Sequence, residues 1–304
     1  PLCIIAFCTG IFTVLFDLCW LSFVPAIVQK EHLIEANSKV TTSSAAAEVA
    51  GPGLGGMLVQ LFTAPLALLA DSLSYVVSVV SLLLIRHREP PPENLPEAHF
   101  LKDIGEGLRF VWKNPYIRVL AFQAGAWNFF YMIVDVIFLL YAIHQLGFSP
   151  GIIGLISAVS AVGGLLGSAV AGLLARRFPL GPVICATFTL GSTPFILLPA
   201  ISGSQFLTAL VCIIAFFLVR TALGIYAVQS TSLRQALTPP GLMARMNATL
   251  RLISYGAGTL GPIAAGVLGA WIGLRSSLWI ASIGFILALF PLYLSPVRRL
   301  RAIP

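Results

Sequence analysis

Of the four carboxyl groups that lie inside long apolar stretches of this chain, three could bind and release protons. They are Asp17, Glu48 and Asp135. A carboxyl group in a low-dielectric environment holds its proton more tightly than in water, so that it can cycle between two charge states. A charge at bilayer depth costs a few kcal/mol or more unless it faces a cavity or a partner. We therefore predict that these residues couple the activity of the protein to proton movement.

Two arginines occupy later apolar stretches and offer the opposite charge. Arg220 and Arg251 could attract an anionic or catechol-like ligand, or they could pair with the buried carboxylates. A structural ion pair, or a side chain that reaches back toward the lipid headgroups, is the alternative, and it is the stronger one for Arg220. The arginines are thus predicted to act in ligand attraction or in charge pairing.

Polar and aromatic side chains recur at helical spacing on the segment that carries Asp135. They are Gln123, Trp127, Asn128 and Tyr131. Ligand cavities combine apolar walls with a few polar contacts, and this mixture fits a substrate path. A helix face packed against its neighbours would show the same spacing. Both interpretations remain open.

The composition places these residues in a membrane. Apolar residues make up 58% of the chain, charged residues only 10%, and the mean hydropathy is +0.95. The apolar stretches are about 20 residues long, which is the length of a membrane-crossing helix rather than of a barrel strand. We predict an all-α integral membrane protein with nine spans: Leu2–Val28, Val40–Leu61, Ala64–Ile85, Ile117–Ile143, Ile152–Leu174, Pro182–Ile201, Gln205–Gln229, Ala248–Trp271 and Ser276–Leu294.

The basic residues predict how the spans are oriented. Short cytoplasmic loops retain Lys and Arg, and of the loops on the opposite side only that with Arg275 is basic. The C-terminus is therefore predicted to be cytoplasmic. The charges that define the inner side are Lys30, Lys39, Arg86, Arg88, Lys102, Arg109, Lys113, Arg118, Arg176, Arg177, Arg234, Arg245, Arg298, Arg299 and Arg301.

Several other classes of function find no support in the sequence. The net charge of +7 is distributed over alternate membrane edges rather than along one face, which argues against nucleic-acid binding. No metal-ligand spacing, nucleotide-binding loop or nucleophile–base pair stands at a membrane edge. We expect no enzyme activity, no metal and no cofactor.

A glycine-proline element occurs twice, 210 residues apart. The first copy contains Gly51, Pro52, Gly55 and Gly56, and the second contains Gly261, Pro262 and Gly266; Asn37 and Asn247 precede them at equal distances. Such an element suits a hinge or a tight helix interface. A fixed offset indicates a duplicated unit, and duplicated bundles of helices are typical of secondary transporters.

The offset also predicts how the chain divides. Equivalent positions are six helices apart, so a full unit has six helices. We expect residues 1–86 to supply the last three helices of an N-terminal bundle, 87–116 a linker with an amphipathic helix on the inner membrane surface, and 117–304 a complete six-helix bundle. On this count, three further helices would precede Pro1.

Three motifs resemble the major facilitator superfamily, in particular its branch of enterobactin exporters and macrolide-type efflux proteins. They are Val24-Pro25-Ala26-Ile27-Val28 leading to Glu35-Ala36-Asn37, Gly51-Pro52-Gly53-Leu54-Gly55-Gly56, and the run from Gly105 to Pro115. The resemblance covers nearly the whole chain and implies helices four to twelve of a two-bundle, twelve-helix transporter.

The resemblance also carries expectations about function. It implies proton-driven export of a small amphipathic molecule of the drug or siderophore type, by alternating access, from a multi-pass protein of the cell membrane. The expected partners are the lipid bilayer, the substrate and protons, with a monomer at full length. An importer of the same fold, and a truncated protein that does not transport or that needs a partner, are the alternatives.

Overall fold

The computed structural model describes residues 9–12, 16, 33–62, 64–84, 100–239 and 242–301. In these ranges the chain is helical and has no strand. The predicted all-α class is thus confirmed. The helices are α1 (Leu33–Phe62), α2 (Ala64–Leu83), α3 (Phe100–Lys113), α4 (Pro115–His144), α5 (Pro150–Arg177), α6 (Leu180–Ser192), α7 (Leu197–Ala200), α8 (Gln205–Leu237), α9 (Met243–Ile272), α10 (Leu274–Leu287) and α11 (Leu289–Leu294).

Polar residues just before the long helices set where these helices begin. Asn114 precedes Pro115, and its Oδ1 accepts hydrogen bonds from the backbone N–H groups of Tyr116 (3.0 Å) and Ile117 (3.2 Å). Ser149 caps α5 in the same way, ahead of Pro150. A side-chain oxygen at this position satisfies backbone donors that have no partner within the helix, and proline fits the first helical position.

Seven membrane-crossing segments are present in the described part of the chain, by length and apolar character. They are Pro65–Leu83, Pro115–His144, Pro150–Ala175, Leu180–Ala200, Gln205–Leu237, Arg245–Ile272 and Leu274–Leu294. Each corresponds to a predicted span. The predicted span Val40–Leu61 is helical as part of α1 but is not among the seven, since it contains Glu48, Gln60 and several glycines. The predicted span Leu2–Val28 lies mostly outside the described residues.

The described residues form two compact units. The smaller takes its residues from Pro1–Glu48 and Pro65–Leu95, and the larger from Val49–Ala64 and Pro96–Pro304. In the larger unit α5 packs along α8, and α4 along α9. Its core is apolar and rich in aromatic rings, with Phe188, Phe195 and Phe285 at most 2% exposed. This unit holds every contact that the candidate site depends on.

The amphipathic segment after the proline-rich stretch forms α3, as the sequence predicts. Helix α3 packs against α9 and α4. Its Val111 is buried with Ile117, Met246 and Leu250, and Glu106 accepts a hydrogen bond from Arg245 Nη1 at 2.5 Å. The apolar face of α3 is thus partly used for packing on the bundle.

Candidate functional site

A cavity of about 540 Å³ opens among α4, α8 and α9. This volume suits a small organic ligand, and the walls combine apolar and polar side chains as ligand sites do. The cavity belongs to membrane-crossing segments of the larger unit. Its lining residues are Ala124, Arg234, Asn247, Ala248, Leu250, Arg251, Ser254 and Tyr255.

Two arginines on different helices line this cavity. Arg234 comes from the last turn of α8; its Nε donates to Ser230 O at 3.3 Å and its Nη2 to Thr231 Oγ1 at 2.8 Å. Arg251 comes from α9 and is exposed. Among the described residues, no carboxylate lies within ion-pair distance of either guanidinium group. The cavity therefore carries positive charge that these residues leave uncompensated.

Asn128 joins two of the cavity-lining helices. Its Nδ2 donates to Ser254 Oγ at 2.7 Å and to Ala124 O at 2.9 Å. Because Ser254 follows Arg251 by three residues on α9, the two lie on neighbouring positions of one helix face. Asn128, a predicted substrate-path residue, does not itself line the cavity but is hydrogen-bonded to Ser254, which does.

The other predicted substrate-path residues of α4 lie elsewhere. Gln123 is fully buried, and its Nε2 donates to Ala288 O at 2.7 Å, while Oε1 has no partner among the described residues. Trp127 is 7% exposed. It stacks on Tyr131 with ring centroids 6.2 Å apart and meets Phe285 at 4.9 Å. These side chains are where the packed-face interpretation placed them.

Of the three predicted proton-coupling residues, only Asp135 has a side chain in the described part of the structure. Asp135 is exposed on α4, and Arg220 of α8 is near enough for its charge to act on the carboxylate. Asp17 lies outside the described residues, and so does the side chain of Glu48. Arg220 does not line the cavity, so the structure separates it from Arg251.

The two glycine-proline elements both make close helix contacts, but through different glycines. A Cβ added at Gly56 would lie 2.7 Å from Pro150 O and 3.0 Å from Gly154 Cα. In the second copy, a Cβ at Gly261 would lie 2.7 Å from Phe129 O. Among the described residues, nothing lies within 4 Å of such an atom at the remaining glycines of the motif, Gly51, Gly55 and Gly266.

Comparison with known families shows what kind of protein has this architecture. The family model described as Major Facilitator Superfamily matches residues 1–259 of the 304. The chain belongs to the major facilitator superfamily. It is therefore, as the sequence predicts, a multi-pass membrane protein of a transporter family. The members of this family are in general not enzymes.

Relatives within the superfamily include proteins named as exporters. The chain is 26% identical over 245 residues to the multidrug efflux pump Tap of Mycolicibacterium fortuitum, covering 79% of this chain and 58% of that protein. It is 24% identical over 292 residues to the enterobactin exporter EntS of Citrobacter koseri, covering 93% of this chain and 67% of the exporter. The chain thus spans about three-fifths to two-thirds of the length of these superfamily members.

A solved structure shares the fold. The crystal structure of a bacterial homologue of the iron transporter ferroportin, in an inward-facing state, superposes with a TM-score of 0.70 at 18% identity. The match covers 90% of this chain and 65% of that one. At this identity, the likeness shows the major facilitator fold.

Of the residues that line the cavity, only Arg251 is a predicted site residue, and the charged residue that the sequence analysis leaves out is Arg234. Arg234 stands beyond Gln229, where the predicted span ends, and is one of the basic residues that define the inner side. Helix α8 continues to Leu237 and carries Arg234 to the cavity. The available signal is the helical spacing between Ser230 and Arg234, which are four residues apart and so share one helix face; Ser230 is 5% exposed.

Proposed function

We propose that this protein is a secondary active exporter of small amphipathic molecules, driven by protons and working by alternating access in the cell membrane. The observation that carries the proposal is the cavity lined by Arg234, Arg251 and Tyr255 in membrane-crossing helices of a major facilitator protein. A substrate site within the bundles is the arrangement that such transporters use.

The direction of transport is supported by the relatives. Tap is named as an efflux pump and EntS as an exporter. The same fold serves importers, so that the direction is the part of the proposal that experiment must decide. The bundle division at 87–116, the cytoplasmic C-terminus and the monomeric state belong to the same proposal.

Proton coupling is proposed to involve Asp135, Asp17 and Glu48. Asp135 is exposed on a membrane-crossing helix, within electrostatic reach of Arg220. Neutralisation of the carboxylate by a proton would remove its attraction to the guanidinium group and so change the charge balance between α4 and α8. A carboxyl group that cycles in this way links proton movement to conformation.

The function is tested by measuring dye uptake into inverted membrane vesicles under an imposed proton gradient. Two dyes serve as probes: ethidium, a cation, and carboxyfluorescein, an anion. Export is supported if either dye is taken up and if a protonophore, which removes the proton gradient, abolishes this uptake. Uptake only into right-side-out vesicles would establish an importer, and no movement in either preparation would establish a protein that does not transport by itself.

The coupling residues are tested in the same vesicles. We expect Asp135→Asn, Asp17→Asn or Glu48→Gln to abolish the dependence of uptake on the gradient while facilitated efflux down a dye gradient persists. Asp71→Asn is the matched control, because Asp71 is a carboxylate on a membrane-crossing helix that is assigned no role here. Unchanged gradient dependence in all three variants would exclude these carboxylates.

A further inference from the structure

We propose that the cavity among α4, α8 and α9 binds the anionic group of its ligand through Arg234 and Arg251, so that the substrate class is amphipathic anions. This inference rests on the proposed function, because the ligand of the cavity is a substrate only if the protein transports it. The binding site itself can be tested without transport.

The first argument is that neither cation of this cavity has a carboxylate partner among the described residues. Both arginines belong to membrane-crossing segments, Gln205–Leu237 and Arg245–Ile272. A guanidinium group in such a segment is stabilised by a cavity or by a negative partner. Arg220 has the charge of Asp135 nearby, and Arg245 has Glu106. Arg234 and Arg251 have no carboxylate partner among the described residues.

The second argument is geometric. Arg234 and Arg251 come from different helices and line one cavity of about 540 Å³. Two guanidinium groups can each donate paired N–H bonds to the oxygens of a carboxylate, sulfonate or phosphate. The hydrogen bonds of Arg234 to Ser230 O and Thr231 Oγ1 fix the direction of its side chain. Such preorganisation favours binding over a freely moving side chain.

The remaining walls suit the other part of an amphipathic anion. Tyr255 is 66% exposed and lines the cavity together with Ala124, Ala248 and Leu250. Aromatic and aliphatic surface accepts the apolar body of a ligand. Ser254, whose Oγ already accepts from Asn128, adds a hydroxyl group. The cavity thus presents positive charge beside apolar surface.

The test measures binding of carboxyfluorescein by fluorescence polarization to the protein in phosphatidylcholine nanodiscs. We expect the wild type to bind the anion and to bind ethidium much more weakly. Arg234→Gln and Arg251→Gln should each weaken carboxyfluorescein binding about tenfold. Arg251→Lys should weaken it less than Arg251→Gln, because lysine keeps the charge but lacks the paired N–H donors. Arg118→Gln is the control, since Arg118 is exposed on α4 and does not line the cavity.

Two competitors distinguish the source of the anion. Inorganic phosphate that displaces the dye indicates a site open to soluble anions. Phosphatidylglycerol is then added to the nanodisc. A lipid headgroup occupies the same site if this lipid lowers the affinity of the wild type for the dye but leaves that of the Arg234→Gln/Arg251→Gln double variant unchanged. Both results support an anion site, and they name different natural ligands.

The contrary results are equally defined. Wild-type affinity in both Gln variants, or equal affinity for ethidium and carboxyfluorescein, would overturn the inference even if vesicles transport a dye. Arginine-dependent anion binding in a protein that moves no dye would leave this site standing and overturn the proposed function instead.

Discussion

At the scale of single residues, the hydrogen bond between Asn128 and Ser254 is one contact between a cavity-lining residue and the helix that carries Trp127. It joins α4, whose inner face holds Trp127, to α9, which carries Arg251. Side-chain hydrogen bonds between membrane helices contribute about 0.6 kcal/mol on average, with a maximum of about 1.7 kcal/mol. The bond therefore positions the Arg251 turn more than it stabilises the fold.

A double-mutant cycle tests this link. We expect Asn128→Ala and Ser254→Ala together to show a coupling of about 0.6 kcal/mol in the free energy of unfolding, measured in mixed micelles with a denaturing detergent. Each single variant should weaken carboxyfluorescein binding by less than either Arg→Gln variant. A coupling of zero would mean that the two side chains do not interact in the bilayer.

At this scale, sequence reasoning can single out a residue that carries its signal alone, but not one whose position depends on its neighbours. Arg251 was singled out because a charge stood in an apolar stretch, and it lines the cavity. Arg234 was passed over because a basic residue near an inner helix end is the ordinary pattern. Whether Trp127 faces a path or the core could not be decided, because helical spacing is the same in both cases.

At the scale of helices, the glycine-proline elements show how a close approach is built. The backbones near Gly56 and Gly154, both in the larger unit, come within reach of a single added carbon atom. Small residues permit such approaches between membrane helices. The sequence predicted both elements as a hinge or a packing site, but not which glycine is packed, because that depends on where the neighbouring helix crosses.

The first element yields a prediction with an internal control. Gly56→Ala should destabilise the protein by about 1–3 kcal/mol, since the added methyl group meets the backbone oxygen of Pro150, which cannot move aside easily. Gly55→Ala should be neutral or slightly stabilising, because alanine is the better helix former and no described atom opposes it. Thermal unfolding in detergent measures both. Equal melting temperatures would contradict the contact.

The second element yields the reversed pattern. Gly261→Ala should be destabilising by a similar amount, because its methyl group would meet Met132 Cβ at 2.5 Å and Phe129 O at 2.7 Å. Gly266→Ala, at the position equivalent to Gly56, should have little effect. The same unfolding measurement applies, and a larger loss at Gly266 than at Gly261 would show that the packing of α9 on α4 is misassigned.

At the scale of the whole molecule, apolar length and the distribution of charge determine the architecture. Seven predicted spans match membrane-crossing segments of the described chain, because runs of about 20 apolar residues leave few alternatives to a helix. The ends were less accurate: α8 runs eight residues beyond the predicted Gln229, to Leu237. Helical hydrogen bonds continue through the polar residues of α8 beyond Gln229, whereas hydropathy indicates only where the apolar stretch ends.

Orientation is a prediction at this scale. Arg298, Arg299 and Arg301 follow the last span, and basic residues near span ends are retained in the cytoplasm. A green fluorescent protein fused to the C-terminus should therefore be fluorescent, and an alkaline phosphatase fused there should be inactive. A paired fusion in the loop at Ser202–Ser204 should give the opposite pattern. Phosphatase activity at the C-terminus would reverse the assigned topology.

The different use of the two glycine-proline elements bears on the history of the chain. Gly56 and Gly266 occupy equivalent positions of the two elements, yet among the described residues only Gly56 has a neighbouring backbone within reach of an added Cβ, and of Gly51 and Gly261 only Gly261 does. If the two elements descend from one duplicated unit, we expect purifying selection to act on opposite members of each equivalent pair. Across orthologues, Gly56 and Gly261 should remain glycine while Gly266 and Gly51 vary. Exchanging the two segments between the halves should produce a chain that does not pack.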